Sequence, residues 1–410
     1  MTAVLFRNCT LLDTVAGELV GDRHVLVEEG RVKEVSDVPI AAGEAETVEV
    51  AGRTLMPGLC DAHVHITAAS PDFAALTRWP PSYVTAHAAG IACGMLGRGF
   101  TTVRDAGGAD WGLAQAIDEG LIEGPRILFS GHALSQTGGH GDMRAKGEEG
   151  RDFCPVCVGT LGRLCDGPDE VRRAARDELR KGASQVKIMA SGGIASPTDH
   201  IENTQFSLAE IAAAVEEAEA ARTYVMAHAY TPRAVRRAVE CGVRSIEHGN
   251  LIDDECAELL ARSGTFLVPT MSTYERLYVE GLEAGLPPAL HDKVGDVRDA
   301  AVEALEIAYR HDVKIVYGTD LLGRMHAHQS LEFALRAEVQ EPIEVIRSAT
   351  SVAAELFGMA GEIGVVAVGA RADILVVDGD PTADLGLLQD QGRHLCVIMK
   401  DGRFVVNRLA

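Results

Sequence analysis

The sequence predicts an α/β protein: a (β/α)8 TIM barrel with a small flanking β-sandwich domain built from both termini. Eight short β-rich runs alternate with helical stretches within residues 57–361, which predicts the barrel. The runs are nearly continuous in apolar residues, as is typical of parallel strands covered on both faces. Residues 1–56 and 362–410 instead carry short alternating strands broken by Gly and Asp turns such as EEGR and KDGR, which predicts the sandwich.

The barrel strands are predicted from eight apolar runs that end in polar or small residues. In chain order these runs are LCDAHVHI, FTTVRDAG, PRILFSG, SQVKIMASGG, TYVMAHAY, VRSIEHGN, TFLVPTMS and VKIVYGTD. Repeated βα units of this kind over roughly 300 residues favour a barrel. A doubly wound open sheet is the competing architecture for the same pattern.

Helices between these runs are predicted from their end signals. The segment SLAEIAAAVEEAEAAR opens with Ser207 as N-cap and has Glu210 three residues on, which is a capping box. In TPRAVRRAVECG, Thr231 is the cap, Pro232 takes the first helical position and Gly242 lies just past the end. The segment PDEVRRAARDELRKG places acids in its first turn and bases in its last, as the helix dipole prefers.

Composition and charge argue against several classes of partner. The 410 residues include 60 acidic and 38 basic side chains, and the formal net charge of −22 repels phosphate backbones and anionic lipid. We therefore expect neither a nucleic-acid nor a membrane partner. No apolar run approaches the roughly 20 residues that span a bilayer. The first residues lack the basic and apolar regions of a signal peptide.

The nine cysteines are scattered along the chain and odd in number. Without a secretory signal, this favours reduced thiols in a cytoplasmic protein over a disulfide framework. Cys154 and Cys157 form a CPVC pair with Cys165 nearby, which would suit a metal knuckle or a redox pair. Because no second CxxC accompanies this pair, we expect a loop there.

Ionisable residues recur at the predicted carboxyl ends of the strands, where a barrel of this type places its working groups. Asp61, His63 and His65 alternate on the first strand, so their side chains share a face. Asp61 lies deeper than the histidines, and we expect its carboxylate to accept a hydrogen bond from a ligand histidine and orient it. Taken singly, a strand-end histidine is usually structural and an aspartate often caps the next helix. A lysine inside an apolar strand is harder to explain, because burial disfavours its ammonium form. The residues that would converge are His63, His65, Lys187, His228, His248 and Asp320.

This set resembles the amidohydrolase superfamily, which has an HxH after the first strand, a lysine on the fourth, histidines on the fifth and sixth, and an aspartate on the eighth. MPGLCDAHVH and VGARADILVVDGDP resemble that superfamily's junctions between sandwich and barrel. The resemblance implies two divalent metal ions, expected to be zinc, although manganese or cobalt would accept the same ligands. It also implies that Lys187 is carbamylated by CO2 and bridges the two ions. One ion would be held by His63, His65 and Asp320 and the other by His228 and His248.

The chemistry implied by the resemblance is hydrolysis of an amide or related C–N bond. Two metals that share a water lower its pKa enough to supply a bridging hydroxide near neutral pH. Asp320 would act as general base towards this hydroxide and then as general acid towards the leaving nitrogen. One metal would polarise the scissile carbonyl.

Several further stretches resemble the metal-dependent dipeptidase branch, especially its Xaa-Pro dipeptidases (prolidases). These stretches are SQTGGHGD, KIMASGGIASPTD, AHAYTP, IEHGNLID and YGTDLLG. His140 lies on the Gly-rich loop after the third strand, and Tyr230 lies two residues beyond His228 on the same face. The resemblance implies that His140 and Tyr230 contact the carbonyl and the tetrahedral centre, with His140 as a donor. We expect dipeptides or N-acyl amino acids as substrates, with Xaa-Pro dipeptides favoured.

Other substrates and one non-enzymatic role remain open. Bulky aryl-acyl amino acids and Xaa-Arg or Xaa-Lys peptides are alternative amides, and imidazolonepropionate is a cyclic one, because loops rather than the barrel set specificity. Lys187 argues against imidazolonepropionase-like enzymes, which usually lack the modified lysine. A non-catalytic assembly protein on this scaffold would be expected to lose metal ligands, whereas all six positions are filled here.

Two segments near the predicted site stand out by their length or their charge. The segment 270–312 exceeds an ordinary βα connection, and we expect a lid that carries Tyr274 and Tyr278. Basic residues after Asp320 are either partners for a substrate carboxylate or solvated surface; they are Arg324, His326 and His328. Finally, the resemblance implies a homo-oligomer.

Overall fold

The structure is a computed structural model that describes residues 3–148 and 160–409. The CPVC pair, Cys154 and Cys157, lies outside the described residues. The chain divides into two compact units. The first comprises Met1–Asp61, Cys93–Thr102 and Gln329–Ala410, and the second comprises Ala62–Ala92 and Val103–His328.

Strands occur in both units. Those of the described residues are β1 (Val4–Asp13), β2 (Glu18–Glu28), β3 (Arg31–Ser36), β4 (Glu46–Glu49), β5 (Thr54–Pro57), β6 (Leu59–Val64), β7 (Phe100–Asp105), β8 (Arg126–Phe129), β9 (Ala133–Ser135), β10 (Gly162–Leu164), β11 (Val186–Met189), β12 (Val225–Ala229), β13 (Ser245–His248), β14 (Phe266–Val268), β15 (Ile374–Val377), β16 (Leu395–Lys400) and β17 (Arg403–Asn407).

Helices make up most of the remaining regular structure. They are α1 (Phe73–Leu76), α2 (Pro81–Gly97), α3 (Trp111–Asp118), α4 (Pro168–Arg180), α5 (Leu208–Ala220), α6 (Pro232–Glu240), α7 (Asp254–Ser263), α8 (Met271–Ala284), α9 (Pro288–Arg310), α10 (Leu331–Arg336), α11 (Pro342–Ser348) and α12 (Ser351–Leu356), with short 3-10 turns at Gly323–His328, Leu385–Leu388 and Asp390–Gly392. None of the described helices is both long and apolar enough to cross a membrane.

The first unit is built around a sheet that both ends of the chain share. Its strand order is β17-β16-β15-β5-β1-β2-β3, and β4 pairs with β1. The central strand β5 joins the two ends, because it pairs in parallel with β1 and antiparallel with β15. Side chains alternate across the sheet. Val4 and Phe6 therefore enter one apolar cluster, whereas Leu5 packs with Leu26 and Ile40 in another.

Parallel strands carry the predicted apolar runs, which confirms that part of the prediction. One sheet has the order β10-β9-β11-β12-β13-β14, with parallel pairing throughout, and β6, β7 and β8 form a second sheet. The eighth run differs, because its contact with β14 is an isolated parallel bridge between Ile315 and Leu267. Its Tyr317 carbonyl also accepts a hydrogen bond of 2.8 Å from the backbone N–H of Ala62. The eighth run is therefore held by a few backbone hydrogen bonds on each side and does not form a regular strand.

The predicted helix ends of α5 and α6 are confirmed. Ser207 accepts from the backbone N–H of Glu210, and the Glu210 side chain accepts from the backbone N–H of Ser207, so the capping box is complete. Thr231 caps α6, Pro232 is its first residue, and Gly242 follows its end with φ +93°. Gly242 thus takes a left-handed conformation that other residues rarely adopt.

The long segment 270–312 forms the helices α8 and α9. Tyr274 is 1% exposed and belongs to the apolar cluster that includes Tyr230, Leu277 and Val294. Tyr278, one turn further on, is 41% exposed. Residues four apart share a side of a helix, so the two tyrosines differ in burial and not in direction. The proposed lid function stays a prediction.

Candidate metal centre and active site

The predicted site residues of the second unit line one cavity of about 440 Å³. The eight residues on its wall that the sequence singled out are His63, His65, His140, Lys187, His228, Tyr230, His248 and Asp320. They come from six separate parts of the chain, which the parallel strands bring to one edge. The structure therefore brings together every residue that the sequence assigned to metal binding or catalysis.

His63, His65 and Asp320 form a compact group that could hold a metal ion, with ligand atoms within 4.8 Å of one another. Asp320 Oδ1 lies 3.5 Å from His63 Nε2 and 3.2 Å from His65 Nε2. The backbone N–H of Asp320 also donates to the carbonyl of His63 at 2.8 Å. Asp320 has a φ of 52°, a strained conformation for a non-glycine residue. This strain is consistent with a carboxylate held in place for function.

The imidazole rings of this group are oriented by acceptors behind them. His63 Nδ1 lies 2.7 Å from Glu247 Oε2, and His65 Nδ1 lies 2.8 Å from the carbonyl of Gly107. Because both partners accept hydrogen bonds, each Nδ1 carries a proton, which leaves each Nε2, on the side of Asp320, as the nitrogen available to a metal ion. This is the arrangement in which an outer acceptor orients a metal-binding histidine.

A buried charge network supports His63. Arg104 Nη2 donates to Glu247 Oε1 at 2.9 Å, and the hydroxyl of Ser245 donates to the same oxygen at 2.6 Å. Arg104 and Glu247 are both fully buried. Burying two charges is costly unless they are paired and hydrogen-bonded, as they are here. This pair does not lie at the strand ends where the site was predicted, although a charged residue inside each apolar run was the signal that could have found it.

His65 is supported through the backbone of the loop after β7. The carboxylate of Asp105 accepts hydrogen bonds from the backbone N–H groups of Ile66, Gly107 and Ala109 at 2.8 to 3.1 Å. These bonds fix the Gly107 carbonyl that accepts from His65. Burial raises the pKa of Asp105, although the charge of His65 and the three backbone donors oppose this effect.

Asp61 differs from its sequence interpretation as the acceptor for a ligand histidine. The carboxylate on His63 belongs to Glu247, whereas Asp61 Oδ2 accepts a hydrogen bond of 2.9 Å from Gln329 Nε2. Sequence periodicity placed Asp61 on the same strand face as His63, but an acceptor from a distant strand holds the ring.

His228 and His248 are neighbours on the adjoining strands β12 and β13, with ring centroids 4.6 Å apart. His248 Nδ1 lies 2.7 Å from Thr270 Oγ1, and His228 Nε2 lies 3.1 Å from the Gly192 carbonyl. His248 has a φ of 77°, so it is strained like Asp320. His248 uses Nδ1 and His228 uses Nε2 for these hydrogen bonds. The other ring nitrogen, Nε2 of His248 and Nδ1 of His228, is therefore the one that could coordinate a metal ion.

Lys187 lies on β11 and is 1% exposed. Burial lowers the pKa of its ammonium to about 8, with the charges of Glu247 and Asp320 acting in the opposite direction. A larger fraction of this amine is therefore neutral near pH 7 than for an exposed lysine. A neutral amine is nucleophilic, which is the property that reaction with CO2 requires.

Three of the four candidate ligand histidines favour the neutral state that metal binding requires. Burial lowers the pKa values of His63, His228 and His248 well below the usual histidine range. For His65, burial also lowers the pKa, but the hydrogen bond and charge of Asp320 outweigh it and the net shift is upward. Neutral imidazole is the form that coordinates metal ions.

His140 and Tyr230 lie next to these histidines. The His140 ring stacks on that of His228, with centroids 4.2 Å apart and planes 19° apart, and burial lowers the pKa of His140 to about 4. The Tyr230 ring centroid lies 4.8 Å from that of His228. The Tyr230 hydroxyl accepts from Tyr274 at 2.9 Å, and burial raises the pKa of Tyr230.

The basic residues after Asp320 lie apart from the cavity lining. Arg324 and His328 form ion pairs with acids of α8, at 3.2 Å to Glu283 and 2.8 Å to Glu280. Two arginines that the sequence analysis did not single out, Arg78 and Arg144, line the cavity instead. Their positions could not be read from motif spacing, because neither lies at a strand end.

The chain belongs to the amidohydrolase family, whose sequence profile matches residues 54–405. Over 348 residues it is 33% identical to an ochratoxinase of Aspergillus niger, covering 82% of this chain and 72% of that protein. Among solved structures, a prolidase complexed with N-methylphosphonate-L-proline is 49% identical, with a TM-score of 0.97 over 99% of this chain and 100% of that one. A Xaa-Pro dipeptidase with bound methionine in its active site is 28% identical, with a TM-score of 0.87 over 99% and 100%. These relatives confirm the predicted superfamily and its prolidase-like branch.

Proposed function

We propose that this protein is a zinc-dependent amidohydrolase that cleaves dipeptides or N-acyl amino acids, with Xaa-Pro dipeptides favoured. The observation that carries the proposal is the convergence of all six candidate ligands on one cavity. The choice of substrate is supported by the 49% identical prolidase that binds a proline phosphonate. Dipeptides also carry the C–N bond that this superfamily hydrolyses.

The finer fold proposal is a closed (β/α)8 barrel over residues 57–361, with a β-sandwich from 1–56 and 362–410. Closure is supported by the contacts of the eighth run. Its Ile315 bridges to β14, and its Tyr317 carbonyl accepts from Ala62 on β6. Two neighbours on opposite sides are what a strand that closes a barrel requires.

Two divalent ions fit the residues present. His63, His65 and Asp320 offer two imidazole nitrogens and a carboxylate oxygen within 4.8 Å of one another. His228 and His248 would hold the other ion, with Lys187, once carbamylated, contributing an oxygen to both. Imidazole and carboxylate donors suit zinc. The anchoring of the opposite ring nitrogens supports this fit, because it aims the free lone pairs into one place.

When bound, the metal ions would supply a hydroxide near neutral pH and polarise the substrate carbonyl. The residues of the chain perform the remaining work. Asp320 holds the proton of the attacking water at its carboxylate and delivers it to the leaving nitrogen. Although burial raises the pKa of Asp320, the neighbouring His63, His65 and Lys187 favour its carboxylate form, and the net shift is downward, as this role requires. His140 and Tyr230 contact the reacting carbonyl group from the cavity wall.

The proposal is tested by amino-acid release from a panel of Xaa-Pro, Xaa-Arg and aryl-acyl amino acid substrates, using protein expressed with added zinc. We expect proline to be released fastest. Asp320→Asn is the matched control, since it preserves side-chain size but removes the proton acceptor. If no substrate of the panel releases an amino acid while two zinc ions are still bound, dipeptides and N-acyl amino acids are excluded as substrates.

A bulky aryl-acyl amino acid is the second candidate substrate. It is supported by the 33% identity to an ochratoxinase and by the cavity of about 440 Å³. Faster release of the amino acid from an aryl-acyl conjugate than from any Xaa-Pro dipeptide would favour this alternative. A cytoplasmic location and a homo-oligomeric state stay predictions from the sequence.

A further inference from the structure

A buried hydrogen-bonded chain runs behind His140, away from the metal ligands. His140 Nδ1 lies 2.9 Å from the Ser196 hydroxyl, and that hydroxyl donates to Asp199 Oδ1. The other oxygen of Asp199 accepts from Gln205 Nε2 at 2.8 Å. All four side chains belong to buried residues, with exposures of 9% or less. The last three residues lie in the loop 190–207 that follows β11.

The direction of each hydrogen bond in this chain is fixed by its ends. The backbone N–H of His140 can only donate, so Gln205 turns its Oε1 to it, at 2.8 Å, and its Nε2 to Asp199. The Asp199 carboxylate only accepts, so the single Ser196 proton goes to Asp199. The Ser196 oxygen must then accept from His140, which places the ring proton on Nδ1.

The plane of the His140 ring is fixed as well. One face stacks on His228 at 4.2 Å, and the other lies against Gly193. A Cβ atom at Gly193 would lie 2.2 Å from His140 Cε1, which is too close for any side chain. The same loop thus provides both the wall for the ring and the acceptor for its Nδ1.

The loop 190–207 is held in place by hydrogen bonds from Lys293 on α9. The Lys293 ammonium donates to the carbonyls of Ser196 and Asp199 at 3.1 and 3.0 Å. It also lies 4.0 Å from Asp199 Oδ1. The Lys293 ammonium thus holds the loop in place beside the carboxylate that accepts from Ser196.

We propose that Ser196 and Asp199 are positioning residues that orient His140 and hold its ring proton on Nδ1. The Nε2 of the neutral ring is then a hydrogen-bond acceptor. This deepens the role of His140 and rests on the proposed function for the reaction that it serves. A neutral His140 accepts from an O–H or N–H of the reacting centre, such as the hydroxyl that hydrolysis adds to the carbonyl carbon. The donor role inferred from the resemblance would require a second ring proton.

The tautomer is tested directly by NMR of zinc-loaded protein labelled with 15N-histidine. The His140 signals are identified by their loss in His140→Ala. We expect wild-type His140 to carry its proton on Nδ1, and Ser196→Ala to give a mixture of tautomers. A proton on Nε2 in the wild-type protein would overturn the proposal. This measurement needs no substrate, so it decides the proposal even if the protein proves to cleave none of the panel.

A kinetic double-mutant cycle tests whether the two residues act through His140. We expect Ser196→Ala and Asp199→Ala each to lower kcat by about tenfold, the loss of one good hydrogen bond, and to change KM little. In the His140→Ala background neither should lower kcat further. Ser196→Thr keeps the hydroxyl and should restore kcat. Equal losses in both backgrounds would instead mean a general structural role.

Ser130→Ala is the matched control for a lost buried hydroxyl. Ser130 is fully buried, and its hydroxyl makes no hydrogen bond within the described part of the chain. We expect unchanged kcat and the wild-type tautomer of His140. Bound zinc and the melting temperature of each variant are measured alongside, so that a folding defect is recognised. Retained kcat in a well-folded, zinc-loaded Ser196→Ala would also contradict the proposal.

Discussion

The two halves of the candidate metal centre are held in different ways. Behind the first half lies a buried ion pair, whereas the acceptors of the second half are neutral. We define the first half as His63, His65 and Asp320, and the second half as His228, His248 and Lys187.

In the first half, the carboxylate ligand is the side chain of Asp320. His63 donates a hydrogen bond to Glu247, which in turn pairs with Arg104. In the second half, the imidazole of His248 is hydrogen-bonded to the Thr270 hydroxyl and that of His228 to the Gly192 carbonyl. Its oxygen donor would appear only after Lys187 reacts with CO2. Under the proposed function, the ligands of the first half are all encoded in the sequence, whereas the second half would need a modified Lys187.

The largest effect is expected from Asp320→Asn in the first half. This change removes both a ligand charge and the proton acceptor, so we expect kcat/KM to fall by about 10³-fold or more. Steady-state release of the amino acid from the best substrate measures it, with zinc content determined in parallel. Activity within tenfold of wild type would remove Asp320 from the proton transfer.

Lys187→Ala should separate the two halves. Without the bridging oxygen we expect bound zinc to fall from two ions to one per chain, with the first half retained, because its three ligands remain within 4.8 Å of one another. Acetate or formate should restore the second ion by supplying the missing carboxylate. Metal analysis after dialysis measures both effects. Two tightly bound ions in the variant without added carboxylate would contradict the bridging role.

Glu247→Gln and Thr270→Val compare the supports of the two halves. Replacing Glu247 leaves the buried Arg104 without its charged partner, and breaking such a pair costs about 3–5 kcal/mol of folding free energy. Removing the Thr270 hydroxyl breaks only neutral hydrogen bonds, those to His248 and Tyr274, and we expect a loss of about 1–3 kcal/mol. Chemical denaturation of the metal-free proteins measures both values. A larger loss from Thr270→Val would reverse the comparison.

The smallest effect is expected from Tyr274→Phe. This change removes the hydroxyl that donates to Tyr230 at 2.9 Å but leaves the aromatic packing of both rings. We expect kcat/KM to fall by about tenfold or less, since one neutral hydrogen bond contributes about 1 kcal/mol. Tyr230→Phe is the matched variant and should have the larger effect, because Tyr230 itself lines the cavity. The reverse order would make Tyr274 the residue that contacts substrate.

Much of the fold was accessible from local patterns. The capping box at Ser207 and the end signals around α6 depend on residues a few positions apart, and they were predicted correctly. The eighth run was less regular than its apolar composition suggested. Its pairing depends on a few backbone hydrogen bonds with Leu267, Ala62 and His63, which lie far away in the sequence.

The sequence by itself indicated which strand-end side chains meet at the site. His63 and His65 share a strand face because alternate residues point the same way, and parallel strands bring their carboxyl ends to one edge. Only the tertiary structure decided which ring nitrogen each histidine presents. The acceptor of His63 is Glu247, 184 residues away, and that of His140 is Ser196, 56 residues away. Hydrogen-bond partners at such separations depend on the packed geometry of several strands and loops, and no local periodicity encodes them.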